Sequence, residues 1–150
     1  MNGDALWDLS EAKVVVTGAD GFIGSRLVEE LVRRGALVRA LAQYNSMDSH
    51  GWLDDLEAPV RNSIELVRGD IRDPAQMISL CQDRQYVFHL AALISIPFSY
   101  DAPSAYIQTN VQGTANVLDA ALRGGAQKII HTSTSEVYGT AITAPISEDH

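Results

Sequence analysis

Apolar residues come in two rhythms along this chain of 150 residues. Short unbroken runs alternate with longer stretches in which apolar positions recur every three or four residues. The short runs are 13–17 (KVVVT), 37–42 (LVRALA), 64–68 (IELVR), 86–90 (YVFHL) and 128–132 (KIIHT). Their length and β-branched content predict strands. Residues 22–34, FIGSRLVEELVRR, carry apolar positions at 23, 27, 28, 31 and 32, one face of a helix that Gly35 would cap. Asp73-Pro74 predicts a helix start, Asp as cap and Pro at the first position, with Met77, Ile78 and Cys81 turned inward. A long helix is predicted over 102–123, with Val111, Ala115, Leu118 and Leu122 on one stripe and Gly124-Gly125 ending it. Residues 46–58 fit neither rhythm cleanly; Trp52, Leu53 and Leu56 suit the inner side of a short helix.

Strands without polar alternation, each followed by a helix, predict a parallel sheet covered on both faces. Right-handed crossovers make it an α/β, doubly wound parallel sheet of about five strands. In such sheets ligands bind beyond the carboxyl ends of the strands. That places Gly18, Ala42, Asp70, Leu90 and Thr132 along one rim.

Composition narrows the partners. The chain is 46% apolar and 20% charged, which suits one globular domain. With 11 basic and 19 acidic residues it carries a formal charge of −8, and no basic cluster interrupts it, which argues against nucleic acid as a partner. A phosphorylated ligand stays open, because a helix N-terminus binds phosphate without Lys or Arg. The single cysteine, Cys81, has no internal partner and suits a core position. The N-terminal MNGDALWDLSEAK is acidic and lacks a continuous apolar stretch, unlike a signal peptide. No apolar run approaches the ~18–20 residues of a membrane span, so a cytoplasmic location is expected. His89 and His131 fall in strands expected to be buried. With no Cys/His/Asp cluster around them they read as core histidines, and no metal is expected.

The segment TGADGFIG joins the first strand to the first helix and sets Gly18, Gly21 and Gly24 three residues apart. One glycine permits the tight turn, one lets a pyrophosphate approach the backbone, and one lets helix and strand pack closely. The helix N-terminus then presents free N–H groups to the diphosphate. The spacing is G-x-x-G-x-x-G, and TGxxGFIG resembles the extended short-chain dehydrogenase/reductase family, whose NAD-dependent epimerases and dehydratases act mostly on nucleotide sugars. GDIRD (Gly69 to Asp73), HLAA (His89 to Ala92) and TNVQGTANVLDAA (Thr109 to Ala121) extend the resemblance along the chain. It implies a Rossmann-like fold with a bound NAD or NADP. The implied cofactor contacts are Gly18, Gly21, Phe22, Ile23 and Gly24 at the diphosphate, and Asp70 and Ile71 at the adenine. Leu90, Ala91 and Ala92 stand beside the nicotinamide ribose, and Thr109 is a further cofactor contact.

At the end of the second strand an acid would favour NAD and an Arg would favour NADP. The acidic position falls on Ala42, followed by Gln43 and Tyr44. Gln43, Asn45 and Ser46 are the nearest candidates for a ribose or phosphate contact, and Arg39 lies within the strand. With no arginine pair after the strand, NAD is expected and NADP is not excluded.

TSTSEVYG (Thr132 to Gly139) follows the fifth strand with hydroxyls and a carboxylate where a plain corner would use Gly, Pro, Asn or Asp. By resemblance, Thr134 orients the sugar 4-OH and contacts substrate, and Glu136 is the base that removes the C5 proton of a 4-keto sugar. Ser135 stands where the dTDP-glucose dehydratases carry an acid, and matches the TSE form of the GDP-mannose 4,6-dehydratases. Glu136 directly before Val137-Tyr138-Gly139 separates this pattern from the C4 epimerases. Ser95 is a further substrate candidate; Tyr106 and Tyr138 read as packing residues. QYNS, AALISIP and HTSTSEVYGTA look closest to the 4,6-dehydratases of the legionaminic acid route, which act on UDP- or GDP-N-acetylglucosamine. Alternatives are a nucleotide-sugar 4-epimerase and a non-catalytic dinucleotide-binding module.

The family's Y-x-x-x-K motif does not occur. Residues 1–150 are therefore expected to be the N-terminal portion of a dinucleotide-binding domain, with the substrate lobe outside this chain. The whole protein is expected to be a homodimer, built in relatives on the 102–123 helix and the Tyr/Lys helix. This portion alone should turn over negligibly.

Overall fold

A computed structural model describes residues 9–150. The N-terminal segment that argues against a signal peptide falls partly on residues 1–8, outside the described residues. Five strands form one parallel sheet: β1 (Lys13–Thr17), β2 (Leu37–Gln43), β3 (Glu65–Gly69), β4 (Tyr86–His89) and β5 (Lys128–His131). Their order is β3-β2-β1-β4-β5, so the chain winds outward from β1 in one direction and then returns to its other side. The switch point lies between β1 and β4, where a doubly wound sheet opens its ligand crevice.

The pleat divides β1 between two cores. Val14 and Val16 face one layer with Val28 and Leu31 of α1 (Phe22–Arg33), Val38, Ala40 and Leu53. Val15 faces the other with Leu41, Val87, Met77 of α3 (Pro74–Cys81) and Val117 of α6 (Thr114–Arg123). All three valines are fully buried, which is why this strand reads as an unbroken apolar run. Asp73 caps α3 as expected, its carboxylate accepting the N–H groups of Ala75 and Gln76. Cys81 is buried beneath it, and burial pushes its thiol up to about 11, which leaves it unreactive.

Several expectations are corrected. Residues 46–58 form a 3₁₀ turn at Gly51–Asp55, and α2 (Ala58–Ser63) follows it; Leu53 and Leu56 are buried, but Trp52 packs edge-on to Phe22 at the surface. Ile78 is 42% exposed, and Leu80 takes the inner position instead. Two short helices, α4 (Ile96–Asp101) and α5 (Pro103–Tyr106), precede the long helical stretch. That stretch runs through a π-helical segment, Ile107–Gly113, before α6. The predicted stripe faces outward: Val111, Leu118 and Leu122 are 64%, 42% and 79% exposed. Asn116, Val117, Ala120 and Ala121 face inward in its place. Small residues dominate this inner face because the approach is close: a Cβ on Gly113 would lie 2.6 Å from the Ile71 side chain, and one on Gly124 2.4 Å from the Cys81 carbonyl. His131 is exposed, because β5 is an edge strand. Its ring stacks on the buried His89 at 5.1 Å. Among the described residues no helix is long and apolar enough to cross a membrane, and no cluster of His, Cys, Asp or Glu could hold a metal.

Candidate functional site

The glycine loop does three separate jobs. Gly18 has φ +67°, and a Cβ there would lie 2.7 Å from the Ala91 amide nitrogen, so the loops after β1 and β4 touch at the switch point. A Cβ on Gly24 would lie 2.0 Å from the Gly18 carbonyl oxygen, so this residue fixes how closely α1 approaches the loop. Gly21 is different: a Cβ would meet only that same oxygen, at 3.3 Å. It is the N-cap of α1, no side chain caps the helix, and no acid stands in the first turn. The first-turn N–H groups therefore remain as donors at the positive end of a 12-residue helix. Donors at the positive end of a helix suit an anionic group such as a diphosphate. Phe22 and Ile23 are exposed beside it.

A buried hydrogen-bond chain ties the glycine loop to β4 and α6. Thr17 Oγ1 accepts the N–H groups of Leu90 and Ala91, both at 3.3 Å. Its one proton then goes to His89 Nδ1, 2.7 Å away, so His89 carries its own proton on Nε2 and donates it to Thr114 Oγ1 at 2.9 Å. Burial pushes the His89 imidazole down to about 4, with His131 adding to the effect, so the ring is neutral at physiological pH. The loop after β4 is gripped a second time. Asn110 in the π segment accepts the Leu93 N–H and donates to the Leu93 carbonyl, both at 2.8 Å. Thr109 stands beside it, half-buried. Asn116 donates to the carbonyls of Ile71 and Arg72 at 3.0 Å and so holds the loop after β3. Asn110, Thr114 and Asn116 thus fasten three parts of the rim to one helical rod. The sequence motif singles out only Thr109; polar residues within a helical run, Asn110, Thr114 and Asn116, were the available signal.

On the β2–β3 side a groove of about 400 Å³ is lined by Gln43, Tyr44, Arg68, Asp70 and Arg72, among others. Arg72 forms a bidentate ion pair with Asp70 and holds its carboxyl below the usual range. Ile71 is buried in the core and its carbonyl is taken by Asn116. Asn45 spends its amide inside its own loop, donating to the Gln43 and Ser49 carbonyls and accepting from the Met47 and Ser49 N–H groups. Ser46 is exposed next to it. Arg39 is not at the rim: it binds the Ser79 and Leu80 carbonyls and pairs with Glu65 at the opposite end of the strands. Asp20, which sequence reasoning passed over, accepts the Gln43 N–H at 3.0 Å.

Beyond β5, Thr132 N–H still donates to the His89 carbonyl, which carries TSTSE out along the sheet direction. Thr134 then caps a 3₁₀ turn, Ser135–Tyr138. Its hydroxyl donates to the Glu136 carboxylate and accepts the Glu136 N–H, so the two side chains are brought together; Ser135 lies between them in the same exposed turn. A hydroxyl in contact with a carboxylate can orient a substrate hydroxyl and relay or accept a proton. Ser95 is exposed at the start of α4, where its carbonyl accepts the Tyr106 hydroxyl, which gives Tyr106 a packing role. Tyr138 meets His150 edge-on.

Comparison with known proteins identifies the family. The family model for GDP-mannose 4,6 dehydratase covers residues 15–150. The UDP-N-acetyl-alpha-D-glucosaminuronate decarboxylase of Bacillus cytotoxicus is 38% identical over 91% of this chain and 40% of its own length. The dTDP-glucose 4,6-dehydratase of Streptomyces antibioticus is 39% identical over 85% of this chain and 38% of its own. A solved UDP-glucose 4-epimerase from Bifidobacterium longum, in complex with NAD+ and UDP, superimposes with a TM-score of 0.79 at 29% identity, over 92% of this chain and 42% of that one. The chain thus spans about 40% of the length of the curated relatives it matches. The glycine cradle, the fastened rim and the Thr-Ser-Glu turn are carried by a member of the GDP-mannose 4,6 dehydratase family of extended short-chain dehydrogenase/reductases.

Proposed function

We propose that this chain is the N-terminal, dinucleotide-binding portion of an NAD-dependent nucleotide-sugar 4,6-dehydratase, with UDP- or GDP-N-acetylglucosamine as the best-fitting substrates. The observation that carries the reading is the Thr134–Glu136 pair in the turn beyond β5. Gly18, Gly21 and Gly24 shape the diphosphate cradle, and the fastened loops after β3 and β4 flank the rest of the cofactor. Held there, NAD would supply reversible hydride transfer, which allows water to be lost from the sugar with no net redox change. Thr134 holds the sugar 4-OH. Once C4 is a ketone the C5 proton is acidic, and Glu136 removes it while the C6 hydroxyl leaves as water. Ser135, at the position where the dTDP-glucose dehydratases carry an acid, is assigned to that leaving group. Epimerisation at C4 gives Glu136 no proton to take.

A second reading has support in the relatives, a decarboxylase among them. Oxidation of a hexuronate at C4 gives a β-keto acid, which loses CO2 without a base at C5. The complete protein, offered UDP- and GDP-N-acetylglucosamine and UDP-glucuronate with NAD in deuterated water, separates the cases by mass and NMR. The dehydratase predicts a 4-keto-6-deoxy product carrying deuterium at C5, and Glu136→Gln should lower kcat by about 10²–10⁴. Loss of CO2, or an inverted C4 with the skeleton intact, would overturn it.

A further inference from the structure

The carboxylate that usually reads the adenosine ribose is missing from the end of β2, where Ala42 stands. The structure puts a carboxylate there by another route. After β1 the glycine loop leans onto β2: the Ala19 N–H donates to the Leu41 carbonyl at 3.1 Å. One residue on, Asp20 Oδ2 accepts the N–H of Gln43, the last residue of β2, at 3.0 Å. The Asp20 carbonyl accepts the Trp52 N–H at 3.0 Å, and a Cβ on Gly51 would lie 2.4 Å from that oxygen, so the turn after β2 is pressed against this residue. Asp20 is held by two hydrogen bonds, yet among the described residues its Oδ1 has no hydrogen-bond partner and its charge no ion pair.

The cations nearby are in the opposite condition. Arg68 is engaged by Asp48 at 2.5 Å and by His50 Nε2, and Arg72 by Asp70. Both line the adjoining groove, and neither is free to meet a phosphate. Beside the end of β2 the described residues therefore offer the unpaired carboxylate of Asp20 and no unpaired arginine.

We propose that Asp20, from the glycine loop, is the residue that reads the adenosine ribose, accepting its hydroxyl protons on Oδ1 and repelling a 2′-phosphate. The inference rests on the dinucleotide reading above and adds the residue that sets NAD over NADP. Its test is direct binding, by calorimetry, of NAD and NADP to the complete protein and to its Asp20→Asn variant. The amide oxygen of Asn can still accept the Gln43 N–H, so the loop is preserved, and an unchanged melting temperature checks this. Asp20→Ser, which also removes the charge, is the second variant should Asn fold poorly. The wild type should bind NAD at least tenfold more tightly than NADP, and removing the charge should shrink that ratio about tenfold, with a weaker dependence of the NADP constant on salt. A variant that binds both dinucleotides with the wild-type ratio overturns the role of Asp20 and leaves the dinucleotide reading standing. A wild type that binds neither overturns both.

Discussion

Gly21 and Gly24 show how one residue type serves opposite ends in one loop. The 2.0 Å approach at Gly24 is to backbone, which cannot swing aside. Gly24→Ala should cost about 3 kcal/mol or more. That would lower the melting temperature by roughly 6–12 °C. Gly21 already has φ −76°, which alanine adopts readily, so Gly21→Ala should melt within about 2 °C of wild type while weakening NAD roughly tenfold. Thermal melts and calorimetry on the same two variants separate a packing glycine from a ligand glycine. His89 gives a pH signature. Below its ordinary 6.5 the unfolded chain takes up a proton that the folded ring refuses until about 4. The protein should therefore lose stability as pH falls through that window, by up to about 3 kcal/mol, with no further loss from this ring below it. Asp54, Glu65 and Asp70, whose pKa values are lowered from 3.8 or 4.5, lose their contribution at lower pH still. Denaturant titrations between pH 7 and 4 should show the slope, and His89→Gln should flatten it.

At the scale of elements, α6 is where hydrophobic pattern and structure part. Periodicity ranks residues by apolarity, and on that measure Val111, Leu118 and Leu122 make the better inner face. Packing distance ranks them by size, and only Ala120, Ala121 and the glycines at 113 and 124 let this helix close on Ile71 and α3. Val117→Ala should therefore cost about 2 kcal/mol of stability. Leu122→Glu should stay within about 0.5 kcal/mol in the same denaturant melts. The central strand β1 was legible because burial on both faces leaves Val14–Val16 an unbroken apolar run, and the Asp73-Pro74 start because capping is local chemistry. The π segment was not, since one extra residue in a turn leaves no compositional trace. Asp20 was missed for a related reason: its partner is the end of another strand, and no spacing along the chain encodes that meeting.

For the molecule as a whole, the described residues leave a stripe on α6 and the edge of β5 uncovered. We expect a dimer built on this stripe, so in the complete protein Leu118→Glu with Leu122→Glu should leave it monomeric in sedimentation, at unchanged far-ultraviolet dichroism. The strand order has a consequence in time as well as in space. β1 finds β2 24 residues on, at Lys13 and Leu37, but its other neighbour only 72 residues on, at Val14 and Tyr86. At about 5–20 residues per second the ribosome needs roughly 4–14 s to deliver that second partner. Through that interval the most apolar strand of the nascent chain waits with one edge bare, a template for any other strand it meets.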